Sequence, residues 1–529
     1  MISLITWLPL AGALLLALVP SSQAKLARGL AALVALATLV LGVIVLTKLD
    51  ASSAYFQQKE SMSWLPALGI SYSLGVDGIS IFLILLASLV SLVAIIYSRY
   101  VTNRTKLYLQ LVLLLETAMI GAFVSLDLIL FYTFFELSLV PMYFLISIWG
   151  GEKRSKAAAK FFIYTFAGSI FMLVGMITIA YLNFKATQVW TFNIVELQAN
   201  VANGLIWLND QAAEKMIFWA FTIAFLIKAP AFPFHTWVPD TYAESPVTGP
   251  MLSSVMVKMG TYGLLRFCLP FFPDVLPGAI PLLTALAVIG ILYGALLATV
   301  QQDIRRMLAY SSISHMGFIL LGIFSLNQIG VVGGAFQQIN HGITATALFV
   351  LVGFLIERRG SSMFSDYGGL KAKMPLLATL FLISMLASVG LPGLNGFVGE
   401  FLAMLGAFQS GYTHAFGLST AFVAFAAFGV VLSAGYLLYM FQRIFYGPIT
   451  NPLNNNLSDL KRWEVGLVGG LIVLMFWGGL YPSTFTKPTE AAIANTIQMA
   501  TNEPGSRPTW DDYDDNGYPR PEPAMQARR

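Results

Sequence analysis

Long apolar runs separated by short polar segments repeat along nearly the whole chain. Each run is close to the ~20 residues a helix needs to cross roughly 30 Å of hydrocarbon. Fourteen spans are read, at about 2–20, 28–47, 78–98, 107–126, 128–148, 160–182, 216–240, 249–269, 278–300, 305–324, 329–356, 375–410, 417–445 and 464–482. A segment in lipid must satisfy its own backbone polar groups, so these are helices and not an open sheet. The predicted fold is an all-α polytopic membrane protein.

Two spans are interrupted. The seventh reads Lys228-Ala-Pro-Ala-Phe-Pro-Phe-His-Thr-Trp, where Pro230 and Pro233 remove helix donors. The twelfth reads Gly390-Leu-Pro-Gly-Leu-Asn-Gly, with Pro392 between glycines. Breaks five spans apart point to two inverted five-helix repeats with ion sites at the breaks. The expected organisation is 1–106 (helices 1–3), 107–270 (helices 4–8, first repeat), 278–446 (helices 9–13, second repeat) and 464–500 (helix 14 and the segment after it). Residues 501–529 are rich in Pro and Asp, including Asp511-Asp-Tyr-Asp-Asp, and read as a flexible polar tail.

Charge orients these spans. Loops after odd-numbered spans hold 18 Lys and Arg, against 5 after even-numbered spans. The positive-inside rule then puts odd loops in the cytoplasm and both termini outside, in a bacterial cytoplasmic (inner) membrane. The first span lacks a basic leader and a cleavage site, so it reads as a retained helix. The chain is 57% hydrophobic and 11% charged. About 25% charge is usual in a soluble domain, so the lipid bilayer is the expected surrounding, and the net charge of +4 forms no nucleic-acid patch. Cys268 is the only cysteine. One thiol builds neither a disulfide nor an iron–sulfur site, and no nucleotide or HExxH motif is present, so no cofactor or metal is expected in this chain.

Against this background six ionisable residues stand mid-span: Glu136, Lys228, Lys258, His315, His341 and Glu400. A charge in hydrocarbon costs several kcal/mol, which marks such residues as functional. Glu136 lies roughly 15 Å into its span at 1.5 Å per residue, and Lys228 beside the first break is its natural ion-pair partner. Lys258 has no acid nearby in sequence, which suits a residue that gives up and regains a proton. His315 and His341 can accept at one ring nitrogen and donate at the other. Ser311, Ser312, Ser314, Gln337, Gln338, Asn340 and Thr344 supply hydroxyls and amides around them. Glu400 follows the second break as the only acid of its span. Three further residues are secondary candidates: His235 and Asp240 for proton intake, and intramembrane Glu116 for coupling to a neighbouring subunit. The series has the composition of a proton path.

The runs Trp149-Gly-Gly-Glu-Lys-Arg, Lys258-Met-Gly-Thr-Tyr-Gly, Ala309-Tyr-Ser-Ser-Ile-Ser-His-Met-Gly and Leu391-Pro-Gly-Leu-Asn-Gly-Phe-Val-Gly-Glu-Phe, with the segment from Lys228 to Asp240, carry a resemblance. They resemble the antiporter-like proton-pumping subunits of NADH:quinone oxidoreductase (respiratory complex I), and among them the M type, or chain 4. The resemblance covers roughly residues 70 to 450. It implies a Glu136–Lys228 pair in a first half-channel, Lys258 as the central lysine, His315 and His341 as relays and Glu400 at the exit. It also implies L-type and N-type partner subunits, with NADH, FMN, iron–sulfur clusters and quinone held by other subunits. L, N and Mrp-type relatives typically carry lysine where Glu400 stands, so glutamate favours the M type. An Mrp-type Na⁺/H⁺ antiporter subunit is the alternative. The homologous subunit of a membrane-bound hydrogenase or of a photosynthetic quinone reductase, in thylakoids, is another.

Overall fold

The computed structural model describes residues 1–206, 211–449 and 451–501. The expected tail, from 502 onward, lies outside the described residues. The chain opens with helices α1 (Ile2–Leu18) and α2 (Ala24–Thr47). An antiparallel hairpin of β1 (Gln57–Leu65) and β2 (Ile70–Val76) follows, which the apolar pattern does not foretell. Then come α3 (Ser80–Tyr97) and α4 (Thr105–Val124). The fifth span is expected as one helix but divides into α5 (Leu128–Leu137) and α6 (Leu139–Trp149). Pro141 has no N–H to offer the carbonyl four residues earlier, at Leu137, which accounts for the division.

Next are α7 (Arg154–Thr187), the short α8 (Ile194–Ala202), α9 (Gln211–Lys228) and α10 (Trp237–Glu244). The run α11 (Thr248–Gly263) passes through a π-helical turn at Leu264–Cys268 into α12 (Leu269–Phe271). The second half holds α13 (Leu276–Thr299), α14 (Ile304–Phe324), α15 (Gln328–Arg359), α16 (Pro375–Val389), α17 (Asn395–Tyr412) and α18 (Ala421–Phe445). The described chain ends with α19 (Arg462–Leu480) and an unforeseen α20 (Ser483–Thr501).

Ten helices or helix pairs among the described residues are long and apolar enough to cross a membrane, and α1 and α16 are shorter apolar helices. The sequence-expected interruptions are both real. After Lys228 the backbone turns at Ala229–Thr236, and Trp237 Nε1 donates to Ile227 O at 2.9 Å, meeting a carbonyl the broken helix leaves open. Between α16 and α17, Gly390 (φ +84°) and Gly393 (φ +94°) occupy the left-handed region that glycine tolerates best. Four helices of the ionisable series, α11, α14, α15 and α17, which carry Lys258, His315, His341 and Glu400, pack against one another in the interior. Outward faces stay apolar, as in Leu14, Ile163 and Phe428, which is the surface a bilayer solvates.

Candidate functional site

Four interior helices bring four of the six expected residues into one array. Lys258 on α11 is fully buried, and its Nζ lies 2.5 Å from His341 Nδ1 on α15. The His341 and His315 rings follow, with centroids 5.9 Å apart. His315, on α14, contacts Glu400 Oε1 on α17 through Nδ1 at 2.7 Å. Its Nε2 lies 3.1 Å from Ser388 Oγ on α16. Gln337 Nε2 also donates to Glu400 Oε1, at 3.0 Å. The order along the array is therefore lysine, imidazole, imidazole, carboxylate.

Chemically this is a relay. A single proton between Lys258 Nζ and His341 Nδ1 belongs to whichever nitrogen binds it more tightly, and the short contact permits either. A neutral His315 that donates from Nδ1 to Glu400 accepts from Ser388 at Nε2. Ser311, Ser312, Thr344 and Ser388 line a small cavity beside the two rings, and their hydroxyls suit bridging water between His341 and His315. Buried His341 Nε2 has no partner among the described residues, which leaves a free site on that side of the ring.

Glu136 and Lys228 are not joined as expected. Lys228 is buried, donates from Nζ to Ser138 Oγ at 3.0 Å and sits 4.6 Å from the Phe135 ring centre. Glu136 Oε1 has no hydrogen-bond partner among the described residues, while Ser169 on α7 approaches the carboxylate. Lys228 is thus engaged by Ser138 and not by Glu136, and the pair is open. The division at Ser138 is what supplies lysine with its competing acceptor.

The secondary candidates fare differently. Glu116, the candidate for coupling to a neighbouring subunit, is wholly enclosed by its own chain, and both carboxylate oxygens lack partners among the described residues. It lies on the interior face of α4. Asp240 accepts from Lys160 at 2.7 Å and Arg306 at 3.1 Å, so it is an ion-paired helix-end residue. His235 is buried, stacked on Phe232 and edge-on to Tyr293. Ser138, Ser388 and Asn395 join the site unforeseen. Ser388 and Asn395 adjoin the interruption read from sequence, and that adjacency is the one signal they carry, whereas Ser138 lies at a division the apolar pattern did not foretell.

A row of buried ionisable groups across a bundle with interrupted spans defines an antiporter-like membrane protein. Residues 125–428 match the family model described as NADH:quinone oxidoreductase/Mrp antiporter, transmembrane, and the chain belongs to that family. It is 40% identical to NADH-quinone oxidoreductase subunit M of Rickettsia prowazekii, over 89% of this chain and 93% of the relative. It is 38% identical to the subunit M of Rhodobacter capsulatus, over 94% of this chain and 96% of that one. Among solved structures, respiratory complex I from Thermus thermophilus with bound NADH contains a similar chain. That chain gives a TM-score of 0.84 at 31% identity, covering 94% of this chain and all of its own length. A chain of the Mrp complex from Dietzia shares the fold, with a TM-score of 0.79 at 22% identity, covering 94% of this chain and 99% of that one.

Proposed function

We propose that this chain is the M-type membrane-arm subunit of an NADH:quinone oxidoreductase and moves protons through the buried array. The contiguous Lys258–His341–His315–Glu400 geometry carries the reading. The two subunit M relatives point to the same assembly. NADH, FMN, iron–sulfur clusters and quinone belong to other subunits, and L-type and N-type subunits flank this one. The location is a bacterial cytoplasmic membrane with both termini outside. The helices of 107–270 and 278–446 form two inverted repeats, and each holds an interrupted span beside an ionisable residue, Lys228 in the first and Glu400 in the second.

In this mechanism electron transfer elsewhere changes the field at one end of the array. The Glu136–Lys228 pair closes or opens in response. Opening leaves the Lys228 charge unneutralised and pushes the Lys258 proton onward, because charges in a low-dielectric interior interact strongly. The proton passes to His341, through hydroxyl or water to His315, and to the Glu400 carboxylate, which releases it.

The test is proton pumping per electron in the assembled complex with Glu136→Gln or Lys258→Ala. A loss of pumping supports the roles, and unchanged pumping overturns the role of the residue replaced. Isolation in mild detergent checks the assembly. Co-isolation with flavin and iron–sulfur subunits supports the oxidoreductase, and association with small transporter subunits alone favours an Mrp-type antiporter.

A further inference from the structure

A cavity at the basic-loop end of the bundle plays no part in the chemistry above. Its volume is about 370 Å³, and its walls come from segments far apart in the chain. Tyr97 closes α3 and Tyr100 follows in the next turn. Trp149 closes α6, and Ser245 and Val247 stand between α10 and α11. Arg305 lies in the first turn of α14 and Glu357 in the last turn of α15.

Several polar groups on these walls are unmet. Tyr97 and Ser245 are buried, and neither hydroxyl has a hydrogen-bond partner among the described residues. Arg305 Nη1 donates to Ser245 O at 3.2 Å, but its Nε has no partner among the described residues. Buried polar groups are nearly always satisfied, so three such groups on residues lining one cavity mark a place for a polar ligand. Val247 gives α11 no side-chain cap, so the first N–H groups of that helix add partial positive charge at the same wall.

The two full charges say more. Arg305 and Glu357 line the same cavity, yet Glu357 forms no ion pair with Arg305 or with any other described residue. A guanidinium and a carboxylate make a strong bidentate pair when they meet. Here they line the space and do not bridge it. A simple anion would satisfy Arg305 and face Glu357 with like charge. A simple cation would do the reverse. A ligand with both charges satisfies both residues.

The geometry points to a zwitterion of the phosphoethanolamine kind in this cavity, with its phosphate on Arg305 and its ammonium on Glu357. The guanidinium and the Tyr97 and Ser245 hydroxyls are donors, which suits the several acceptor oxygens of a phosphate. Ionised Glu357 only accepts, so it takes the ammonium. The Tyr100 and Trp149 rings favour a cation over their faces. Glu357 is exposed while Tyr97 and Ser245 are buried, so the ammonium lies at the mouth and the phosphate deeper. Free phosphoethanolamine and the headgroup of phosphatidylethanolamine carry the same two charges.

The experiment uses the assembled complex in detergent free of phosphatidylethanolamine. Binding of O-phosphoethanolamine is measured by calorimetric titration beside inorganic phosphate and ethanolamine, each of which carries one of the charges. Retained phosphatidylethanolamine is measured by mass spectrometry on the complex isolated from its own membrane. The variants are Arg305→Gln and Glu357→Gln. A lost hydrogen bond to a charged group is expected to weaken binding by at least about tenfold in each. Loss of the titrated ligand in the variants supports the proposal with a soluble ligand, and loss of the retained lipid supports it with a headgroup. Binding of neither form to the parent overturns it, as does binding that neither variant weakens. Inorganic phosphate that binds as tightly as phosphoethanolamine, with Glu357→Gln indifferent, overturns the two-charge ligand. Glu357 bonds to no other described side chain, so Glu357→Gln decides the matter if Arg305→Gln does not assemble, and unchanged binding there overturns the proposal.

Discussion

Lys258 Nζ and His341 Nδ1 lie 2.5 Å apart with both side chains buried, so the two nitrogens compete for one proton. Groups this close act as a unit, and their effects should not add. Lys258→Ala and His341→Phe are each expected to abolish proton transfer through this subunit. The double variant should be no worse than either single one. The measurement is a double-mutant cycle on NADH-driven pumping. Additive losses would show that the two nitrogens serve separate steps.

Gly399 offers a test that leaves every ionisable group in place. A Cβ there would fall 2.2 Å from Gln337 Oε1 and 2.9 Å from Asn340 Nδ2. Those amides must shift, and the Gln337 bond to Glu400 shifts with them. A hydrogen bond to a charged group contributes about 1.5–3 kcal/mol and about 1.4 kcal/mol is tenfold in rate, so Gly399→Ala is expected to slow pumping by at least about tenfold. Gln337→Glu in the same background should not restore it, since a second carboxylate would face Glu400. Parent-level pumping in Gly399→Ala sinks the idea that this amide contact matters.

The lipid-crossing helices were legible because hydropathy reports burial in hydrocarbon directly, and both interruptions were legible because proline and glycine break hydrogen-bond ladders locally. The array was legible as a set of residue identities, because charge in an apolar span is conspicuous. Its pairing was not. That Lys258 meets His341 and that His315 meets Glu400 depends on how α11, α14, α15 and α17 cross, which no single helix encodes. Glu116 shows the same limit from the other side. Its sequence neighbourhood matches a lipid-facing or an interior face equally well, and only packing places it inside. The β1–β2 hairpin and α20 escaped notice because neither is apolar enough to register as a span.

A second buried ion pair gives a stability prediction away from the proton array. Arg266 Nη2 donates to Asp77 Oδ2 at 2.6 Å, with the guanidinium 4.5 Å from the Phe56 ring centre. Asp77 Oδ1 also accepts from Ile79 N and Ser80 N at the start of α3. Asp77→Ala strands the guanidinium and uncaps the helix, an expected cost of about 3–5 kcal/mol. Asp77→Asn keeps the cap acceptors and should cost less. Thermal unfolding of the isolated complex, followed through this chain, reads the difference. Equal midpoints for Asp77→Ala and the parent would remove the pair from the stability of the fold.

The last prediction concerns what holds the first pair open. Lys228 donates to Ser138 Oγ at 3.0 Å, and that hydroxyl itself donates to Phe135 O at 2.7 Å. Removing the hydroxyl leaves the ammonium over the Phe135 ring with Glu136 as the available acceptor. A hydrogen bond to a charged group contributes about 1.5–3 kcal/mol, so Ser138→Ala should shift the pair toward closure by at least about tenfold. If opening gates the proton, pumping slows by a similar factor. Ser138→Thr keeps the hydroxyl and should run near the parent rate. Infrared difference spectra of the Glu136 carboxylate report closure independently of turnover. A closed pair with undiminished pumping would mean that the gate lies elsewhere, and an open pair in Ser138→Ala would mean that the Phe135 ring and helix geometry hold Lys228 without the serine.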